Sequence, residues 1–262
     1  MTRASSLARW PSLLTFLFAI AVAGCSSIGK ADAESRLVLV AGATGGTGRA
    51  LVNQLTASGY EVRALVRDEK KARAVLGDGI GYAVGDVRDI DTLIAAMQGT
   101  AYVISAIGST RSDPSNNPES VDYGGVKNMA IAAAKSGIKQ FVLVSSSGVT
   151  QEDHFLNKAF DNVLNWKFKG ENALRESGVP YTIVRPGGLV NTPGGEQAVV
   201  FAQGDTKTGR ISREDVALIC IAALNQPAAI NKTFETYSSE QPGANDWSAL
   251  FAALKPDPAV SN

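Results

Sequence analysis

Three glycines recur at a fixed spacing in one short segment of the chain, directly after an apolar run. Gly42, Gly45 and Gly48 lie three residues apart, after the apolar segment Leu37–Ala41 and around the start of an amphipathic segment at Thr47. Glycine allows a sharp turn and the close approach of a ligand, and the free N–H groups of a helix N-terminus attract a pyrophosphate. The order strand, turn, helix therefore predicts a dinucleotide site. A glycine-rich surface turn without a ligand is the alternative.

The charge that follows the second predicted strand indicates which dinucleotide the turn would hold. An Asp or Glu here binds the free ribose 2′-OH of NAD, whereas an Arg accommodates the 2′-phosphate of NADP. The chain has Arg67 at this place, followed by Asp68, Lys70 and Lys71. Because a guanidinium makes bidentate, charge-assisted contacts with phosphate, NADP is favoured over NAD. Asp68 is a competing acid, and a solvated run of charges is the alternative.

The elements that must position these residues alternate between strands and helices. Repeated βα units predict an α/β fold, with a doubly wound parallel sheet of the Rossmann type and helices on both faces. The alternation loosens after residue 186, so residues 187–255 are predicted to form a small C-terminal lobe on the substrate side, within one domain of residues 36–255. The predicted strands are 37–41, 61–66, 81–84, 101–106, 140–144 and 181–184, and the predicted helices include 119–136 and 156–177.

Composition limits the classes of partner. Lys plus Arg and Asp plus Glu each number 25, and 45% of the 262 residues are hydrophobic. A chain without net charge lacks the basic excess expected of a protein whose main partner is nucleic acid. Apart from Cys25, Cys220 is the one cysteine of the chain, in an apolar helical segment. We expect it to be a buried small hydrophobe, with no disulfide framework and no metal cluster.

The N-terminal residues have the order of regions found in secretory signals. Arg3 and Arg9 precede the apolar run Leu13–Ala23, which is too short to span a bilayer. The sequence Val-Ala-Gly before Cys25 resembles the lipobox of bacterial lipoproteins. This resemblance implies a signal peptide (1–24), a tether (25–35) and an extracytoplasmic protein held at the membrane through a lipid on Cys25. A transit peptide or a wrongly assigned start, with an organellar or cytoplasmic location, is the alternative.

Further motifs resemble those of atypical short-chain dehydrogenases/reductases of the NAD(P)-binding, NmrA-like kind, over nearly all of the chain from residue 37 onward. They are LVRD (65–68), GDVRD (85–89), VDYGG (121–125), FVLVSSS (141–147), YTIVRPGG (181–188) and ISREDVA (211–217). The resemblance implies that Asp86 and Val87 flank the adenine, that 106–108 pass under the ribose, and that Lys167 binds the nicotinamide ribose. Asp86 could instead cap the next helix. The cofactor-binding residues implied are Gly42, Thr44, Gly45, Gly46, Thr47, Gly48, Arg67, Asp86, Val87, Ala106 and Lys167.

The catalytic positions depart from the family pattern. Short-chain reductases use a Tyr four residues before a Lys, with a Ser after the fifth strand. Here Lys167 occupies the Lys position, Ser147 is the candidate hydroxyl, and Val163 replaces the Tyr. Lys167 could also be a solvated helix charge. His154, the one histidine of the chain, is a candidate acid or a solvated loop residue.

Two functions are compatible with this pattern. The first is an NADPH-dependent oxidoreductase that reduces a flavin-, quinone- or carbonyl-like acceptor, in which the proton comes from solvent or from Ser147 or His154. The second is a non-catalytic NADP(H)-binding scaffold or redox sensor. Val163 favours the second function, whereas Lys167 and Ser147 favour the first.

Overall fold

The computed structural model describes residues 36–110 and 113–259. The proposed signal peptide, tether and lipidated Cys25 lie outside these ranges. In the described part, a mainly parallel sheet carries helices on both faces, and no helix combines the length and the apolar character needed to cross a bilayer. The α/β, Rossmann-type prediction is confirmed. The strands are β1 (Leu37–Ala41), β2 (Glu61–Val66), β3 (Gly81–Val84), β4 (Tyr102–Ser105), β5 (Gln140–Val144), β6 (Tyr181–Pro186), β7 (Gly188–Val190), β8 (Gln197–Ala202), β9 (Arg210–Ser212) and β10 (Lys232–Pro242).

The helices follow the strands as the repeated βα pattern requires. Two 3-10 turns lie at Pro114–Asn116 and Pro227–Ala229, and a π-helix spans Glu119–Gly125. The α-helices are α1 (Gly46–Ala57), α2 (Glu69–Leu76), α3 (Ile90–Ala96), α4 (Val126–Lys135), α5 (Phe155–Ala159), α6 (Val163–Glu176), α7 (Arg213–Ala223) and α8 (Trp247–Ala252).

The strand order explains where a ligand can bind. The eight-stranded sheet has the order β3-β2-β1-β4-β5-β6-β10-β8, in which β8 alone runs antiparallel to its neighbour. The chain moves outward from β1 to β3 and then returns to β4 on the other side of β1. Such a switch point leaves a crevice beyond the carboxyl ends of the strands, which is where open α/β sheets bind ligands.

Side-chain alternation along β1 divides the core into two layers. Val38 and Val40 face a cluster that includes Leu51 of α1 and Ile219 of α7, whereas Leu39 faces a second cluster with residues of α3, α4 and α6. A strand buried on both faces must be apolar throughout, as this run is. Cys220 lies in the first cluster and is fully buried, as predicted, and burial raises the pKa of its thiol to about 12.

Two predicted helices differ from the structure. The helix predicted over 156–177 is divided into α5 and α6, because Asp161 and Asn162 adopt left-handed conformations with φ of 50° and 58°. The helix predicted over 119–136 begins as the π-helix Glu119–Gly125 and continues as α4.

Residues 187–255 are divided between two sheets. Strands β8 and β10 extend the central sheet, while β7 and β9 pair with each other in a small parallel sheet. Helix α7 packs against α1 and contributes to the same core layer. Strands β8 and β10 and helix α7, which lie in the predicted lobe segment, thus belong to the central sheet and its helical layer.

A buried group of charges joins α6 to the sheet. Arg185 on β6 makes two hydrogen bonds with Glu171 on α6, Nε to Oε1 at 3.0 Å and Nη2 to Oε2 at 2.7 Å. Its Nη1 also lies 3.1 Å from Oε1 of Glu235 on β10. All three side chains are buried. Because buried charges must be paired and hydrogen-bonded, this group fixes the position of α6 over β6 and β10.

Candidate functional site

A cleft of about 660 Å³ opens at the carboxyl ends of β1, β2 and β4. It lies at the switch point of the sheet. Seven of the predicted cofactor-binding residues line it, namely Gly42, Thr44, Gly45, Arg67, Asp86, Val87 and Ala106. Gly46, Thr47 and Gly48 lie in the first turn of α1 next to it, and Lys167 lies on the wall of a neighbouring cavity.

The glycine turn has its shape because side chains are absent there. Gly42 has a φ of +76°, and a Cβ at this position would lie 2.5 Å from the carbonyl oxygen of Ala106. A Cβ on Gly48 would overlap the carbonyl of Gly42, so glycine is required for α1 to pack against the turn. Gly45 is the N-cap residue of α1 and offers no capping side chain. The first N–H groups of α1 are therefore available for a phosphate.

Arg67 and Asp68 are neighbours in the sequence, and both line the cleft, but they differ in their partners. The Asp68 carboxylate accepts a hydrogen bond from the Lys71 N–H at 3.0 Å and caps α2, and this bond lowers its pKa. The Lys71 ammonium lies 3.4 Å from the same carboxylate. Arg67 is exposed on the cleft wall, with no hydrogen bond or ion pair to the rest of the described chain. Both groups line the cleft, but the acid is engaged with α2, whereas the guanidinium keeps its donors for a ligand.

Asp86 is held in place by a nearby arginine. Arg88 donates from Nε to Asp86 Oδ1 at 2.8 Å and from Nη2 to Oδ2 at 2.6 Å, which holds the pKa of this carboxyl below its usual range. Arg88 also donates to the carbonyl and hydroxyl oxygens of Ser115, each at 3.0 Å. The alternative that Asp86 caps the next helix is wrong, because Asp89 caps α3. Asp86 instead helps to join the cleft floor to the 3-10 turn at 114–116.

A second cavity, of about 1010 Å³, adjoins the cleft, since Thr110 lines both. Val163 and Lys167 lie one turn apart on α6 and both line this cavity. The position that carries Tyr in typical short-chain reductases therefore faces the cavity, but it offers only a methyl-bearing side chain. Leu156, Phe160 and Leu164 add apolar surface to the wall.

Lys167 is held by a carboxylate to which the sequence analysis gave no role. Its ammonium lies 2.7 Å from Oδ1 of Asp122, whose side chain is fully buried, and Asp122 Oδ2 accepts a hydrogen bond from the Ser109 N–H at 3.1 Å. A Cβ on Gly170 would clash with the backbone carbonyl of Asp122, so glycine allows α6 to cross the π-helix closely. The VDYGG motif contained Asp122, but no sequence spacing shows that two elements 45 residues apart cross here.

Ser147, the predicted catalytic hydroxyl, does not line the cavity that Lys167 lines. Ser146 lines the second cavity, whereas Ser147 lines neither cavity. Burial raises the pKa of Tyr237, and a hydrogen bond with the Ser147 side chain opposes that effect. Ser146, with Ser109 and Thr110, therefore supplies hydroxyl groups to the cavity that Lys167 lines. Alternating directions of neighbouring residues at the end of β5 would have indicated that only one of them can face the cavity.

His154 has a structural role at the start of α5. Its Nδ1 accepts a hydrogen bond from the Leu156 N–H at 3.2 Å and so caps α5. Its ring stacks on Phe155, with centroids 4.8 Å apart, and lies against Gly148. His154 lines neither cavity. Within the described ranges, no group of three or more His, Cys, Asp or Glu side chains is arranged to hold a metal ion.

The profile of a protein family described as NAD(P)H-binding matches residues 42–227, which include the turn, the cleft and α6. The chain belongs to this NAD(P)H-binding family. The resemblance to atypical, NmrA-like reductases is confirmed at this level. The residues fit a dinucleotide, because the free N–H groups at the start of α1 can bind phosphate oxygens and Arg67 lines the same cleft.

Proteins to which this chain is similar include two named reductases and one named epimerase/dehydratase. Sanguinarine reductase from Eschscholzia californica is 37% identical and aligns with 86% of this chain and 98% of its own length. An anaerobillin reductase from Escherichia coli O157:H7 has a TM-score of 0.67 at 25% identity, over 79% of this chain and 100% of its own. A Bacillus halodurans protein named as a candidate NAD-dependent epimerase/dehydratase has a TM-score of 0.72 at 29% identity, over 82% of this chain and 98% of its own.

The pairing of Lys167 with buried Asp122 leads to a stability prediction. Lys167→Met leaves the carboxylate without its cation, and we expect the free energy of unfolding to fall by about 3 kcal/mol. Adding Asp122→Asn in the same chain should recover more than about 1 kcal/mol of that loss, because the pair is coupled. Urea denaturation of the single and double variants measures both values.

Lys158→Met serves as the control, since it removes an exposed lysine of the neighbouring helix. Its effect should stay within about 0.5 kcal/mol. Strictly additive effects of Lys167→Met and Asp122→Asn would contradict the proposed coupling.

Proposed function

We propose that this NAD(P)H-binding protein is an NADPH-dependent reductase of a flavin-, quinone- or carbonyl-like small molecule. The observation that carries the proposal is the junction of the two cavities at Thr110. The first cavity has the phosphate-binding turn and Arg67, and the second has Lys167, Ser146 and an apolar wall. A cofactor in the first and an acceptor in the second would meet at this junction.

The second cavity favours an acceptor that does not depend on an enzyme phenol. When bound, NADPH supplies a hydride. Val163 gives no proton, and His154 is turned to capping α5, so the proton would come from solvent or by way of the Ser146 hydroxyl. Reduced flavins and quinones can take up that proton from water, whereas a simple ketone benefits from a positioned acid during hydride addition. We therefore rank flavin- and quinone-like acceptors above simple carbonyl compounds.

The residues of the second cavity support an acceptor with an apolar face. Leu156, Phe160, Val163 and Leu164 supply apolar contacts, and Lys167 is already neutralised by Asp122. Ligand sites of this kind combine an apolar wall with a few fixed polar groups. The 37% identical relative is named for sanguinarine, which makes that compound a further acceptor to test.

A non-catalytic NADP(H)-binding scaffold or redox sensor is the second candidate function. Val163 at the cavity wall favours it, because the position of the usual proton donor is apolar. The cofactor cleft is compatible both with a protein that only binds NADP(H) and with one that oxidises NADPH.

Turnover separates these two functions. The full chain is mixed with NADPH and, in separate reactions, a flavin, a quinone, sanguinarine and a simple ketone, and cofactor oxidation is followed by absorbance. We expect oxidation with at least one aromatic acceptor and slower or no oxidation with the ketone. NADPH binding without oxidation across the whole panel would support the scaffold and contradict the reductase.

The preference for NADPH depends on Arg67. Arg67→Ala should weaken NADPH binding about 10- to 100-fold, because hydrogen bonds to charged groups contribute about 1.5–3 kcal/mol. NADH binding should not change, since NADH has no 2′-phosphate. Fluorescence titration of both cofactors measures the two affinities. Lys70→Ala removes an exposed neighbouring charge that does not line the cleft and should change neither affinity. Equal effects of Arg67→Ala on both cofactors would contradict the role of Arg67.

We also propose that Cys25 carries a lipid that holds the protein at an extracytoplasmic membrane surface. The order of arginines, apolar run, small residues and cysteine in the sequence supports this proposal. A transit peptide or a different start remains the alternative location signal.

Metabolic labelling with a fatty acid tests the lipid. Label should enter the wild-type chain and be lost in Cys25→Ala. Cys220→Ala is the matched control, because this thiol is fully buried in α7, and it should keep the label. Equal labelling of the wild type and Cys25→Ala would refute the lipoprotein.

A further inference from the structure

The space that a side chain would fill at Gly46 is occupied by an arginine from a distant part of the chain. Gly46 is the first residue of α1. A Cβ on it would lie 2.7 Å from Cδ and 2.8 Å from Nε of Arg213, the first residue of α7. The arginine side chain therefore lies directly against the backbone of the phosphate-binding turn.

The Arg213 guanidinium keeps most of its hydrogen-bonding capacity. Nη1 donates to Oδ1 of Asn191 at 2.7 Å, and no carboxylate of the described chain lies within ion-pair distance of this arginine. The two acids that follow it in sequence have other partners. Glu214 accepts from the N–H of Gly194 at 2.9 Å, and Asp215 accepts from the N–H of residue 195 at 2.7 Å.

An arginine at this place adds a full positive charge to the partial charge of a helix N-terminus. The N–H groups of α1 can position a diphosphate, but its charge is neutralised better by a guanidinium, which fits phosphate oxygens bidentately. Arg67 lines the cleft directly after β2, whereas Arg213 lies against Gly46 at the start of α1, next to the cleft. The two arginines therefore address different phosphates.

We infer that Arg213 is a ligand of the diphosphate that joins the two halves of the bound dinucleotide. The inference rests on dinucleotide binding by the NAD(P)H-binding family and is independent of reductase activity. Arg213 should contribute equally to NADPH and NADH affinity, because both contain the diphosphate. Arg67 should contribute to NADPH alone.

Two fragments of the cofactor separate these contacts. ADP-ribose contains the diphosphate and no 2′-phosphate, whereas adenosine 2′-monophosphate contains the 2′-phosphate and no diphosphate. With the full chain, we expect Arg213→Ala to weaken ADP-ribose binding about tenfold or more and to leave adenosine 2′-monophosphate binding unchanged. Arg67→Ala should produce the opposite pattern. Calorimetric titration gives all four affinities, and Arg213→Lys should lose less ADP-ribose affinity than Arg213→Ala.

Arg210→Ala is the matched control, because it removes an exposed arginine three residues earlier, on β9. It should change neither affinity. Unchanged ADP-ribose binding in Arg213→Ala, or an equal loss for both fragments, would overturn the inference. Absence of ADP-ribose binding in the wild-type protein would overturn it together with its premise. If the protein binds ADP-ribose but oxidises NADPH with no acceptor of the panel, the proposed reductase activity is overturned and the inference on Arg213 stands.

Discussion

Close backbone contacts that leave no room for a Cβ atom determine the geometry of both cavities. At Gly42 and Gly48 they bring the end of β1, the chain after β4 and the start of α1 into contact, and this contact forms the phosphate-binding turn. At Gly170 they allow α6 to cross the π-helix. A larger residue at any of these crossings would move a backbone segment and not merely a side chain. The positions of Lys167 and of the cofactor turn thus depend on the same kind of contact.

Buried charge on α6 also fixes the second of these crossings. Glu171 is held by Arg185 of β6, and Arg175 approaches the same carboxylate at 3.0 Å. Lys167 lies one turn earlier and pairs with Asp122 of the π-helix. The helix is therefore attached to the π-helix at one turn and to the sheet at the next. Tyr123 stacks on Trp166 along the contact with the π-helix. Removing either attachment would leave an uncompensated buried charge, which is far more costly than losing an exposed ion pair.

What the sequence could predict was local. The strands, the glycine turn and the position of Arg67 follow from periodicity and spacing within about 30 residues. The division of the predicted helix at Asp161 and Asn162 could not be predicted in this way, because two residues in left-handed conformation can occur within an otherwise helical sequence pattern. Ser146 could be distinguished from Ser147 only when the direction of each side chain at the end of β5 was known.

Contacts between distant residues account for the remaining differences. Asp122 with Lys167, and Gly46 with Arg213, join positions 45 and 167 residues apart, and neither spacing carries a periodic signal. Each contact brings a charged residue to a position that a local motif had already indicated. Asp122 is brought to the family lysine, and Arg213 is brought to the glycine turn. In both cases the local motif predicts where the site lies, whereas the long-range contact determines the charge of that site. At the glycine turn the added charge is positive and suits phosphate, whereas at the second cavity the added carboxylate neutralises Lys167.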